Sequence, residues 1–179
     1  GEVLEAFRQQ YPGIPLEHTS LSNDEVPVQL QNGKLDAGLV MDLGGCATGL
    51  ARTALSQHTT AVMVSRSSPF WERIHISPAE LDGQTLLVPG FAPDALAPLW
   101  QALQESGAHP QLELGKQFYQ VLYRTQEQNC VSLNRFEEAS HSQMTNVRNV
   151  ILDGLPPICA GFLRPQKQHN ACAELLCRF

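Results

Sequence analysis

Basic residues are in short supply: 12 Lys and Arg stand against 18 Asp and Glu in 179 residues, a net charge of -6. That balance argues against a broad nucleic-acid surface on this chain, because such a surface needs clustered positive charge. No run approaches the roughly 18 apolar residues that read as a membrane span. The first residues also lack the basic-then-apolar order of a signal peptide. The six histidines show neither H-x-x-x-H nor H-x-x-E-H spacing, and G-x-S-x-G is missing, so no zincin helix and no hydrolase elbow is expected. Five cysteines, Cys46, Cys130, Cys159, Cys172 and Cys177, form an odd set without a Cys-x-x-Cys pair. Buried or idle thiols in a reducing compartment fit that pattern better than a metal site or a redox sensor. Cys172 and Cys177, five apart on a predicted helix, face different ways and so would not share a metal.

What the chain does have is apolar material, 42% of residues against 17% charged, enough for a real core in one domain or two small lobes. Leu4, Phe7 and Tyr11 recur at helical spacing, and Tyr11-Pro12-Gly13 stops that helix. Ile14 to Ser20 is expected to be a short strand near a sheet edge, with Pro15 near its start. Ser22 or Asn23 can cap a second helix, in which Asp24 and Glu25 suit the positive end of the dipole and Pro27 falls in the first turn. Asn32-Gly33 ends it. Leu35 to Met41 reads as a nearly continuous apolar strand, the kind buried on both faces of a parallel sheet. Helix, strand, helix, strand predicts a doubly wound α/β fold, whose ligands lie beyond the carboxyl ends of the strands.

Further on, Asp42 to Leu50 is a glycine-rich connection without the Gly-Lys-Ser/Thr of a phosphate cradle. Thr59 to Ser65 is a strand rich in β-branched residues. The pattern then restarts. A capped turn is expected at Ser77 to Leu81, with Glu80 in the capping-box position, and strands at Gln84 to Val88, Gln111 to Leu114 and Cys130 to Leu133. Leu96, Leu99, Trp100 and Leu103 form the inward stripe of a helix ended by Ser106-Gly107, and Phe118 to Gln126 forms another. After a polar loop at Glu137 to Thr145 come strands at Val147 to Leu152 and Ile158 to Leu163, then a helix at Ala171 to Phe179. The second series repeats the first in kind, as two similar lobes would.

FRQQYPGIPLE (Phe7 to Glu17) followed by LQNGKLDAGLV (Leu30 to Val40) resembles the opening of the effector-binding domain of LysR-type transcriptional regulators. In that family an F-x-x-x-Y-P helix end, a strand, a short capped helix and a G-x-L-D turn into a buried strand stand at about these separations. PAELDGQTLLVP (Pro78 to Pro89) continues the likeness. The resemblance implies an α/β fold of two Rossmann-like lobes joined by two crossover strands, type II periplasmic-binding-protein-like. Lobe I is expected at residues 1–65 with 158–179 and lobe II at 66–157, with Ser65-Arg66-Ser67-Ser68-Pro69 as the hinge. It further implies a cytoplasmic, non-enzymatic sensor that takes a small-molecule effector between the lobes and uses no cofactor and no metal. Lobe movement would pass to DNA through an N-terminal helix-turn-helix absent from this chain, without a membrane. Head-to-tail pairing into a homodimer or tetramer is implied too, with Val3 to Arg8 and Leu16 to Ser20 of one copy facing Phe118 to Arg124 of another.

Relatives carry a strand before the first helix, placed centrally between those expected at 14–20 and 37–41. Either an upstream segment belongs in that slot or something else fills it, since unpaired backbone there is costly. Members also have a glycine-bearing V-x-x-G-x-G-I segment where this chain reads YRTQEQNCVSL, which makes Gln126, Gln128 and Asn129 candidates to face a ligand.

By fold logic Met41 with Asp42, and Pro89-Gly90-Phe91, follow strands into the cleft. Ser22 and Asn23 can offer side-chain oxygens and backbone N–H groups to a ligand carboxylate. Ser65 and Arg66 at the hinge could complement an acidic ligand. A rival from another class is an extracytoplasmic solute-binding protein of a transporter, which shares the fold and is disfavoured by five cysteines. An enzyme on the same scaffold is a third reading, for which no nucleophile with an oriented base is seen.

Overall fold

The helices and strands of the chain are arranged about two sheets. The computed structural model describes residues 2–44, 48–91, 93–115, 118–136, 146–167 and 170–179. The elements are α1 (Glu2–Gln10), α2 (Glu25–Gln31), β1 (Gly38–Asp42), β2 (Leu50–His58), β3 (Thr60–Ser65), β4 (His75–Ile76), β5 (Thr85–Pro89), α3 (Ala97–Ser106), β6 (Gln111–Gly115), α4 (Phe118–Gln128), β7 (Val131–Arg135), β8 (Val147–Leu152), β9 (Ile158–Pro165) and α5 (Ala171–Arg178).

The smaller sheet has the order β1-β9-β2, with both neighbours antiparallel to β9. On one face α2 lays Val26 and Leu30 against Val40, Leu50 and Leu163. On the other, Phe7 of α1 meets Phe162 of β9 and Leu176 and Cys177 of α5. The Phe7 ring lies 5.0 Å from Tyr11 and edge-on to Phe179 at 5.4 Å. A side chain of this size, fully buried, stabilises by about 1.5–3 kcal/mol.

The larger sheet has the order β4-β8-β3-β7-β5-β6. β3 runs antiparallel to β7 and β8, whereas β5 runs parallel to β6 and β7. One face carries Val62, Leu86 and Val88 with Leu99 and Leu103 of α3. The other carries Met63, Leu87 and Val147 with Val121 of α4. Each sheet is thus covered on both sides, giving two α/β lobes.

Several expectations meet corrections. Ile14 to Ser20 is not a strand: no neighbouring strand pairs with it among the described residues, and Ile14 and Leu16 serve instead as partly buried packing under α1 and α5. The Leu16 carbonyl accepts from Arg8 at 3.2 Å. β1 lies at the edge of an antiparallel sheet and not inside a parallel one, so its burial alternates and Leu39 is 58% exposed. β2 was not expected at all. Trp100 lies outside the stripe of α3 and is half-exposed. Val131 to Arg135 and Gln111 to Gly115 fall within one or two residues of their expected spans. The polar stretch Glu137 to Thr145 and Cys46 lie outside the described residues.

The passage between the sheets differs from the expected hinge. Thr60 to Ser65 bonds only to strands of the larger sheet, so the chain changes sheet at Thr59, before that strand instead of after it. Both connections run side by side there. His58 pairs with Ile158 as the last rung of the smaller sheet, Ala61 pairs with Ile151 in the larger, and the Thr60 hydroxyl donates to the Pro156 carbonyl at 2.6 Å.

Helix ends explain one departure in the sequence. α3 ends on Gly107 in the left-handed region (φ 71°). After α4 the same region is taken by Asn129 (φ 51°), the non-glycine residue that tolerates it best because its short amide bonds locally. An asparagine therefore turns the chain where the resembled family was expected to use glycine.

Candidate functional site

A cleft of about 220 Å³ opens where the lobes meet. Leu21, Ser22 and Asn23, just before α2, form one wall; among the described residues of the larger lobe, Met63, Pro89, Gly90, Gly115, Val121, Leu133 and Asn134 face it. Strand ends converge on it, as an α/β fold requires.

The 21–24 segment is held by its own polar groups. The Ser22 backbone N–H and hydroxyl both donate to Glu25 Oε2, at 2.9 and 2.6 Å. The Asn23 amide pairs with the backbone of Met41 at the edge of β1: Nδ2 donates to the carbonyl at 3.0 Å and Oδ1 accepts from the N–H at 3.1 Å. Asp24 then crosses between lobes, its N–H donating to the Gly90 carbonyl at 3.0 Å. A Cβ on Gly90 would stand 3.2 Å from Asp24 Oδ1.

On the opposite wall, a Cβ on Gly115 would lie 2.2 Å from Val121 Cγ2, so glycine lets α4 close over the end of β6. Asn134 donates to Asn149 Oδ1 at 3.1 Å and accepts from the Arg135 N–H at 2.9 Å. Beneath it the Thr125 and Ser132 hydroxyls pair at 2.5 Å in a fully buried position. Outside the cleft, Arg124 of α4 bonds Glu113 of β6, and that hydrogen bond holds the Glu113 carboxyl below its ordinary range.

Of the residues expected at the site, Ser22, Asn23, Pro89 and Gly90 line this cleft together. Met41 supports it through its backbone, while its sulfur accepts from Arg135 Nη1 at 3.4 Å. Asp42 is turned away: it is 3% exposed, both carboxylate oxygens lie 2.6 Å from Arg52 Nη2, and Oδ1 also accepts from the Gly44 N–H at 2.8 Å. Phe91 is buried in the larger core and Arg66 is on the surface. The Ser65 hydroxyl is buried and donates to Asn129 Oδ1 at 2.9 Å, joining the end of β3 to the turn after α4. Gln126 is partly exposed on α4 and does not line the cleft, and Gln128 accepts from Arg124 Nε at 2.8 Å.

Met63, Gly115, Val121, Leu133 and Asn134 were not anticipated. Only Asn134 left a trace in the sequence, as a polar residue ending the apolar run Val131 to Leu133. No group of His, Cys, Asp and Glu suited to a metal ion occurs among the described residues.

A family profile described as the LysR substrate binding domain matches residues 1–119. No curated protein matches the sequence. The crystal structure of HinK, a LysR family transcriptional regulator from Pseudomonas aeruginosa, superposes with a TM-score of 0.72 at 16% identity, covering 99% of this chain and 62% of HinK. The BenM effector binding domain with its effector benzoate gives 0.70 at 18% identity, covering 98% and 81%. The regulatory domain of Synechocystis CcmR in complex with 2-PG gives 0.73 at 13% identity, covering 97% and 85%. The chain therefore spans a little over three fifths of a regulator such as HinK, and most of the two isolated domains.

Proposed function

Since this chain belongs to the family of the LysR substrate binding domain, we propose that it is the ligand-sensing part of a DNA-binding transcription regulator, taking a small-molecule effector between its lobes. Its fold is the two-lobe, type II periplasmic-binding-protein-like α/β architecture. The observation that carries the reading is the cleft at which the 21–24 segment of one lobe meets the end of β5 in the other, bridged by the Asp24 to Gly90 hydrogen bond. A ligand there touches both lobes at once, which is what a differential interaction with open and closed states requires. The extracytoplasmic solute-binding reading, which shares the fold, is set aside by the family match.

The lobes are taken as residues 1–58 with 158–179 and residues 60–152, joined by the paired passages at Thr59 and residues 153–157. Movement between them would reach DNA through a helix-turn-helix outside this chain, in a cytoplasmic homodimer or tetramer. No described helix is long and apolar enough to cross a membrane. Support for pairing comes from the larger lobe, where Leu114, Tyr119 and Tyr123 of β6 and α4 are 60–83% exposed.

The test is a screen of small metabolites by nitrogen-15 NMR, read at the amides of Leu21 to Asp24 and Gly90. Ligands that bind the protein yet move only amides remote from the cleft would refute the assignment.

A further inference from the structure

Among the described residues, every polar side chain that lines the cleft already has a partner inside the chain. Ser22 gives both its donors to one oxygen of Glu25, and Asn23 spends both ends of its amide on Met41. Asn134 is engaged with Asn149 and the Arg135 N–H. The Glu25 carboxylate thus occupies the place that a ligand carboxylate would need in order to be held by Ser22. A second carboxylate, that of Asp24, lies against Gly90 at the rim. Among the described residues that line the cleft there is no Lys, Arg or His, and Leu21, Met63, Pro89, Val121 and Leu133 supply most of the wall. An incoming carboxylate would have to displace Glu25 from both Ser22 donors. It would also give up its hydration without gaining a free donor from these side chains.

We propose that this cleft selects a small, mainly apolar molecule bearing no negative charge, and that Glu25 is the residue that excludes carboxylates by holding the Ser22 donors itself. This rests on the cleft being the effector site. Glu25 acts on specificity through Ser22 and does not line the cleft, so an effect on carboxylates alone is its signature. General loss of fold would weaken all ligands alike.

Two sets of probes matched in shape and differing in charge make the test: benzoate, benzamide and benzylamine, and butyrate, butyramide and butylamine. Each is titrated to millimolar concentration into the nitrogen-15-labelled chain as wild type, Glu25→Ala and Glu25→Gln. The amides of Leu21 to Asp24 and Gly90 give the affinities. In the wild type the amide and amine probes should bind at least about tenfold more tightly than the matching carboxylate, a margin of about 1.4 kcal/mol. Glu25→Ala should shrink that margin by strengthening carboxylate binding, and Glu25→Gln, which keeps an acceptor for Ser22 but removes the charge, should fall between.

Carboxylates that bind the wild-type cleft as tightly as the amides would overturn the proposal while leaving the cleft as the ligand site. Absence of any shift at the cleft amides, for all six probes in all three proteins, would overturn both this proposal and the cleft assignment beneath it.

Discussion

Replacing Asp42 by alanine should destabilise the domain severely without touching ligand recognition. Its side chain is 5% exposed and that of its partner Arg52 is 12% exposed, so both charges have left water. One guanidinium nitrogen bridges the two carboxylate oxygens at 2.6 Å, and the neighbouring Nη1 donates to the Cys159 carbonyl at 3.4 Å, which ties β1, β2 and β9 together. An exposed ion pair contributes about 0–1 kcal/mol. Removing one partner from a buried pair costs about 3–5 kcal/mol, because the other charge stays desolvated without its counterion. Urea unfolding with an m-value of about 2 kcal/mol/M converts that cost into a midpoint lowered by about 1.5–2.5 M. Asp42→Ala with Arg52→Met should recover much of the loss, since no buried charge is then stranded. A midpoint lowered by less than about 0.5 M in the single variant would refute the reasoning and return the pair to the surface class.

Gly115→Ala drives a methyl group into Val121 and should cost about 1–3 kcal/mol in the same assay, and adding Val121→Ala should relieve part of it. The Glu80 carboxyl is held below its ordinary value of 4.5, first by the Ser77 backbone N–H and also by Arg73. A depressed folded value stabilises above the unfolded value and is lost as pH falls through the folded one. Glu80→Gln should therefore lower the urea midpoint near neutral pH, and the difference should vanish in acid. Of the four described cysteines, iodoacetamide should label exposed Cys172 first and Cys177 last, because burial pushes the Cys177 thiol up, as timed mass spectrometry would show. Peroxide should yield no specific disulfide among Cys130, Cys159, Cys172 and Cys177, and one stoichiometric pair would contradict this. Sedimentation at micromolar concentration should find a dimer weakened by Tyr123→Glu or by charge reversal at Arg8; a strict monomer would rule out head-to-tail pairing.

Elements that carry their own local signals are legible in the amino-acid sequence. The stripe and Tyr11-Pro12-Gly13 stop of α1, the Ser77 and Glu80 capping box, and Gly107 after α3 each act within four residues, and all three are found. β2 could not be read that way. Leu50 to His58 holds one β-branched residue, Thr53, and becomes a strand only because β9 offers a ladder, which it follows through an irregularity between Ala54 and Ser56. Ile14 to Ser20 shows the converse, a strand-like pattern left without a partner. At the site, Ser22, Asn23, Pro89 and Gly90 were reachable because helix starts and strand ends gather at a cleft. Position after a strand does not say which way a side chain turns, which is why Asp42 and Phe91 went inward to Arg52 and to the core. Met63 and Asn134 reach the cleft through β3 and β7 pairing, a long-range event without a local mark.

The hydrogen bond from Thr60 to Pro156, between the two chain passages, has a mechanical meaning. Two separate tethers would allow the lobes to swing, twist and slide. If the lobes move as proposed, lacing the passages together beside the rungs His58 to Ile158 and Ala61 to Ile151 should make them act as a single pin that resists twist and sliding. Opening and closing would then reduce to one angle, which the length of the Asp24 to Gly90 bond across the mouth would report.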